Sequence, residues 1–163
     1  MNSILDHNRQ THFMHLALEL AARAEAAGEV PVGCVIVKDG VVIAEGFNRL
    51  LGDSDASAHA EICAIRAAGR VLGNYRLVDC ELIVTLEPCI MCVGAMIHAR
   101  LAHIVYGASD PKTGAAGSVF DLLHNEHHNH RPIVTGGVLA GECSRQLSEF
   151  FKRRRVEKKP IQP

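Results

Sequence analysis

The sequence predicts an α/β fold with a β-hairpin near its start. Three observations carry that expectation: a helical apolar periodicity over residues 9–27, two β-branched runs joined by Asp39-Gly40, and helix-like segments alternating with strand-like ones from residue 58 onward. At 163 residues the chain is long enough for one domain (1–163) with its own core and too short for two comfortable ones. No composition shift or internal repeat divides it.

Within residues 9–27, Phe13, Leu16, Leu20, Ala24 and Ala27 recur at spacings of three and four, and Gly28 supplies a stop. Residues 32–37 and 41–45 read as two strands with Lys38 closing the first. Asp39-Gly40 between them suits a type I′ turn, whose two central residues both need positive φ. Residues 58–69 then read as a helix, 80–86 as a strand, and 88–99 as a helix with Pro88 at a first-turn position, where its missing N–H costs nothing. Further strands are expected over 101–107 and 132–135, and a closing helix over about 141–156. Strands separated by helices place helices on both faces of the sheet. Ser109 to Arg131 is a Gly- and His-rich connection with one short helix expected near Val119–Leu123, and a connection of this length is uncommon unless functional.

Nearly half the residues are hydrophobic, aromatics are few and Trp is absent, so the core is expected from Ala, Val, Ile and Leu. No apolar run approaches the roughly 20 residues that span a bilayer, and Met1 to Gln10 lacks the apolar stretch of a signal peptide. A cytoplasmic, reducing location is therefore expected, in which the six cysteines serve as thiols or metal ligands rather than disulfides. The basic end of the chain, about 141–163, holds Lys152, Arg153, Arg154, Arg155, Lys158 and Lys159 against Glu157 over its last twelve residues, a surplus of five. The net charge of −1 leaves the first 151 residues at −6. Such an asymmetry suits either a solvated tail or an anionic partner.

The chemistry concentrates in His59-Ala60-Glu61 and Pro88-Cys89-Ile90-Met91-Cys92. One histidine and two cysteines give three protein ligands of nitrogen and sulfur, and three ligands leave a fourth tetrahedral position for water, the arrangement of catalytic zinc. Both motifs fall at predicted helix N-termini, where unpaired N–H groups and the helix dipole favour thiolates. Glu61 is the group that accepts the proton of a zinc-activated water and returns it to a leaving amine. On an ideal helix residues two apart point about 200° from each other, so His59 and Glu61 share a site only if it lies over the helix start.

The conjunction of His-Ala-Glu with Thr85-Leu86-Glu87-Pro88-Cys89-x-x-Cys92 matches the signature of the zinc-dependent nucleobase deaminases. At these residues the chain resembles the cytidine-deaminase superfamily and, within it, the bacterial tRNA-specific adenosine deaminases. The similarity runs from about Phe13 to Arg155. It includes Glu29 to Gly33, Glu45 to Asn48, Ala58 to Glu61, Asn74 to Leu77, Val84 to Cys92, Gly94 to His98, Lys112 to Ser118, and Phe150-Phe151. The metal motif specifies the superfamily, while the Lys112 to Ser118 run and the Phe-Phe-basic ending narrow it to the tRNA branch.

That resemblance implies a three-layer α/β/α fold with a mixed five-stranded sheet, a homodimer with one Zn2+ per subunit, and a flipped-out wobble adenosine of a tRNA anticodon loop as substrate. It implies that Asn48 hydrogen-bonds the base, that the backbone around Ala60 and Leu86 lines the pocket, and that Val30 packs against the ring. Asp110 and Lys112 would lie beside the RNA backbone, and Phe151 with Arg154 and Arg155 would meet the loop. Two positions depart from the pattern: Ala56, where relatives usually have Pro, and Asn125, where a second His is common.

Read without the resemblance, Asn48 is first of all a turn residue after the second hairpin strand, and of Phe150 and Phe151 one packs in the core while the other is free to stack on a base. The His124, His127, His128 and His130 cluster fits no zinc spacing and reads as a solvated loop near RNA. Cys34, Cys63, Cys80 and Cys143 sit on apolar patterns as small core residues. The expected reaction is hydrolytic deamination of adenosine to inosine. A free-base or nucleoside deaminase acting on guanine or cytosine would share all the zinc residues. An RNA-binding module with structural zinc would need a fourth ligand, and none stands at a suitable spacing.

Overall fold

The structure is a computed structural model and describes residues 2–158. Lys159 and the rest of the basic tail lie outside the described residues. The elements in chain order are α1 (Asn2–Ala26), β1 (Gly33–Lys38), β2 (Val41–Phe47), α2 (Ala60–Leu72), β3 (Cys80–Leu86), α3 (Ile90–His98), β4 (His103–Ala108), β5 (Ile133–Thr135) and α4 (Ala140–Glu157).

The strands form one mixed sheet in the order β2-β1-β3-β4-β5. β1 pairs antiparallel with both β2 and β3, while β3, β4 and β5 run parallel. Asp39 and Gly40 have φ of 51° and 78°, so both central residues of the hairpin turn are left-handed as expected. Successive side chains of a strand face opposite ways, and the core divides accordingly. Cys34, Ile36, Leu82, Val84 and Ile104 pack with α2 and α3, whereas Val35, Val37, Ile83 and Val105 pack with α1 and α4. The result is an α/β/α sandwich with β3 at its centre.

α1 begins at Asn2, about two turns before the apolar periodicity starts. Periodicity reports only the buried part of a helix, and Asp6, His7 and Asn8 are exposed turns that no Gly or Pro interrupts. Its buried stripe is Phe13, Met14, Ala17, Leu20, Ala21 and Ala24; Ala27 lies beyond the helix and is exposed. Gly33 brings β1 against that stripe, because a Cβ there would overlap the Ala17 carbonyl and the Ala21 nitrogen.

Two expectations are corrected. Pro88 precedes the helix rather than opening it: α3 starts at Ile90, Cys89 is its extended N-cap, and the Pro88 carbonyl accepts the Ala115 N–H at 2.8 Å. Val119–Leu123 is no helix either. Gly117 N–H donates to the Phe120 carbonyl at 2.9 Å, and Ala116 bridges Asp121, so the segment is a tight turn that its apolar spacing does not reveal. α4 lies beside α1, with Arg153 paired to Glu25 and Gln146 donating to the Leu18 carbonyl at 3.2 Å. No helix among the described residues is long and apolar enough to cross a membrane.

Candidate metal centre and substrate cleft

Both halves of the metal motif are helix caps. His59 (φ −66°, ψ 153°) is the N-cap of α2 and Cys89 (φ −81°, ψ 175°) the N-cap of α3; the carbonyl of each accepts a first-turn bond, from Cys63 and Val93 respectively. Cys92 lies in the first turn of α3 and is fully buried. Because His59 stands outside the helix proper, the 200° separation expected on a regular helix does not apply. His59 and Glu61 therefore both line the same cleft.

His59 Nδ1 lies 3.6 Å from the Sγ of Cys89 and 3.6 Å from that of Cys92. Zinc bonds of about 2.3 Å to sulfur and 2.05 Å to nitrogen at a tetrahedral angle require an N···S separation of about 3.6 Å. The three donors fit that ion, and among the described residues this is the one group of three or more His, Cys, Asp or Glu placed to hold a metal.

The electrostatics favour one anionic sulfur, Cys89, with Cys92 as its neutral hydrogen-bond donor. The Cys89 thiol is held down to about 4, first by its hydrogen bond from Cys92 and then by that with His59, against the opposing effect of burial. Cys92, the donor in that pair, is raised by the same bond and by burial. The bond with Cys89 raises His59 in turn. Burial pushes the Glu61 carboxyl up to about 7, against its backbone hydrogen bond and the nearby His59.

His59, Glu61 and Cys89 form the base of a cleft of about 470 Å³, while Cys92 is fully buried beneath it. Its walls come from loops leaving one rim of the sheet, since the register sets Gly33 opposite Phe47 and Leu86 opposite Ala108. Val30, Asn48, Leu86, Asp110, Phe151 and Arg154 all line the cleft, as do Phe150 of α4 and Lys158, the C-cap of that helix. Ala60 sits behind the wall, where its N–H donates to Asn48 Oδ1 at 2.9 Å. Lys112 and Arg155 are exposed outside the lining. Asn48 is no free turn residue, being buried with its Nδ2 donating to the Val30 carbonyl at 3.0 Å. The Asp110 carboxylate turns inward to accept the N–H groups of Lys112 and Thr113 at 2.9 and 3.2 Å and the Thr113 hydroxyl.

Phe150 is 6% exposed and Phe151 46%, which divides the pair between core and surface. Of the loop histidines, His124 pairs with Asp121 and His130 contacts the Leu101 carbonyl, which ties the loop back to the start of β4. Asn125 accepts the His127 N–H, and Ala56 is exposed. Cys34, Cys80 and Cys143 are buried as expected, but Cys63 is half-buried and opens into a surface hollow beside Arg49 and Phe47. Its position on α2 follows the apolar pattern while facing the thin edge at β2.

Sequence reasoning passed over two buried carboxylates of the cleft. Glu29 Oε1 accepts the N–H groups of Leu51 and Gly52 at 2.7 and 2.9 Å, and Glu87 accepts donors of the loop after β4. Both fall inside stretches that carry the family resemblance, but a single Glu beside Val or Pro has no periodic signature, so nothing in the pattern marked the role of either one.

Comparison with known proteins places the chain. The family model for the cytidine and deoxycytidylate deaminase zinc-binding region matches residues 7–108. A tRNA-specific adenosine deaminase of Haemophilus influenzae is 54% identical over 147 residues, covering 90% of this chain and 85% of that protein. One of Streptococcus pyogenes serotype M18 is 45% identical over 150 residues, covering 92% and 94%. Among solved structures, a chain from work on A-to-I editing by tRNA:A34 deaminases superposes with a TM-score of 0.81 at 45% identity, covering 84% of this chain and 99% of its own. A guanine deaminase from Nitrosomonas europaea gives 0.71 at 29% identity, covering 84% and 81%.

Fold and site together define a zinc-dependent deaminase, with His59, Cys89 and Cys92 as the cluster for one zinc per subunit. The chain belongs to the cytidine and deoxycytidylate deaminase family.

Proposed function

We propose that this enzyme deaminates adenosine to inosine at the wobble position of a tRNA anticodon loop. The observation that carries the reading is the composition of the cleft. Its base holds the His59 and Cys89 donors beside the buried Glu61, and its mouth is edged by Phe151 and Arg154 of α4 and by Lys158, the C-cap of that helix. A free base needs no aromatic and basic rim, whereas an RNA loop offers bases to stack and phosphates to pair.

A zinc ion held by His59, Cys89 and Cys92 would supply an activated water at the amino-bearing carbon of a flipped adenine. Glu61 accepts the proton of the attacking water, passes it to the ring nitrogen and then assists the departing ammonia. Its burial at the base of the cleft keeps that proton away from bulk solvent. Val30 and Leu86 offer apolar surface to the ring, and Asn48 fixes the wall beside it. Asp110 and Lys112 flank the path of the RNA backbone, with Arg155 adding charge beyond the lining. The same reading takes residues 1–163 as one deaminase domain, working as a homodimer in the cytoplasm. α3 leaves Ile90 and Met91 exposed, apolar surface that a second copy would cover.

The guanine-deaminase kinship keeps one competing reading, a free-base enzyme with the same zinc site. An assay of the zinc-loaded protein and its Glu61→Ala variant decides between them. The substrates are an anticodon stem-loop with wobble adenosine and, separately, adenosine, cytidine and guanine. Inosine formed only in the RNA and only with Glu61 present is the expected result; turnover of a free base with inert RNA overturns the tRNA assignment.

A further inference from the structure

Glu87 is 2% exposed and stands two residues before Cys89. Burying an ionised carboxylate costs several kcal/mol unless its oxygens are satisfied, and no Lys or Arg among the described residues pairs with this one. Four donors satisfy it instead. Oε2 accepts from the Asp110 N–H at 2.8 Å and from the Ser118 hydroxyl, and Oε1 accepts from the N–H groups of Ala116 at 3.1 Å and Ser118 at 3.0 Å.

All four donors belong to one stretch, Asp110 to Ser118, at the start of the long connection between β4 and β5. That stretch wraps the carboxylate closely enough that a Cβ on Gly114 would overlap both the Glu87 carboxyl group and the Asp110 carbonyl. Two backbone bonds flank the arrangement, Glu87 N–H to the Ala108 carbonyl and Ala115 N–H to the Pro88 carbonyl, each at 2.8 Å. The stretch contributes Asp110 and Thr113 to the cleft wall. Besides the Ala115 bond to Pro88 and the buried Ala115 and Ala116 methyls, Glu87 is what holds the Asp110 end of this loop, which has neither helix nor strand, at its height above the metal ligands.

We infer that Glu87 is a positioning residue for substrate capture. It acts through Asp110 and Thr113, fixing their wall relative to Cys89 so that a bound nucleotide meets a preformed surface. Substrate binding to a preordered wall avoids the cost of ordering it at that moment. The inference takes its substrate from the RNA-deaminase reading, while the hold on the loop stands on the geometry alone.

The test is Glu87→Gln in the zinc-loaded full-length protein. A glutamine keeps the shape, but its amide nitrogen cannot accept. In either orientation it confronts the Asp110 N–H or those of Ala116 and Ser118 with another donor. Three quantities are read: zinc content, steady-state kinetics on whichever substrate the wild type turns over, and amide hydrogen exchange. The expected result is one zinc per chain, kcat within about twofold of wild type, KM raised about tenfold, and faster exchange at Asp110, Ala116 and Ser118 but not in β3. Loss of zinc together with kcat overturns the proposal by assigning Glu87 to support of Cys89, and unchanged KM with unchanged exchange overturns it outright. Should the wild type prove inert on the stem-loop, the RNA reading fails, while exchange in the variant still decides whether Glu87 holds the wall.

Discussion

Asn48 accepts the Ala60 N–H on its side-chain oxygen at 2.9 Å, the donor being the first residue of α2 and lying between His59 and Glu61. With its amide on the Val30 carbonyl, this one side chain joins the exit of β2, the segment after α1 and the start of the metal-bearing helix.

Asn48→Ala leaves the buried Ala60 N–H unpaired, while the Val30 carbonyl keeps its bond from the Val32 N–H. An orphaned buried group costs about 1–3 kcal/mol, so the expected loss of stability is about 2 kcal/mol, read by urea denaturation, with a larger drop in turnover than partial unfolding accounts for. A variant as stable and active as wild type would remove Asn48 from its place as the organiser of this wall.

The two adjacent phenylalanines of α4 should separate cleanly. Phe150→Ala empties a core position and is expected to cost about 3 kcal/mol of stability. Phe151→Ala removes a half-exposed ring, so melting should barely change while stem-loop affinity falls by about 1–3 kcal/mol. Equal affinity for wild type and Phe151→Ala would take base stacking out of the account.

Glycine substitution offers a paired test of packing against helix propensity. Gly33→Ala drives a methyl into the α1 backbone and is expected to destabilise by about 1–3 kcal/mol or prevent folding. Gly141→Ala, in the exposed first turn of α4 with open space around the added carbon, should stabilise by about 0.5–1 kcal/mol. Thermal melting of both variants against wild type gives the two signs.

Glu81 lies between His103 and Arg9, whose hydrogen bonds hold its carboxyl down to about 2 against the effect of burial. A folded-state value below the unfolded one means that the stabilisation is complete above about pH 4.5. It is lost as pH falls toward about 2. The melting-temperature gap between wild type and Glu81→Gln should therefore be widest near pH 6 and narrow steadily down to pH 3. A gap of constant size across that range would show that the ion pairs contribute nothing.

The parts of this molecule legible in its sequence are those written in short-range patterns. β3 runs over Cys80–Leu86 as its apolar run predicts, and Asp39-Gly40 makes the hairpin turn it encodes. His59, Cys89 and Cys92 were recognisable because ligand chemistry restricts residue type and spacing together. Pro88 misled because a proline suits the residue before an N-cap as well as the first turn, and only the extended Cys89 decides between them. Glu29 and Glu87 were invisible for a different reason. Their partners are backbone N–H groups more than twenty residues away, and a backbone donor leaves no trace in the identity of the residue that carries it.

The shared rim of the sheet has a consequence for descent. Apart from α4, the segments that wall the cleft leave or enter the strands at that one edge, so they can be exchanged without altering the strand register as long as Asn48, His59 and Cys89 are kept. A lineage built on this plan inherits its metal chemistry as a fixed part and revises its choice of base or nucleic acid as a replaceable one. The opposite edge, where the hairpin turns and Glu81 meets Arg9 and His103, serves the fold and takes no part in the cleft.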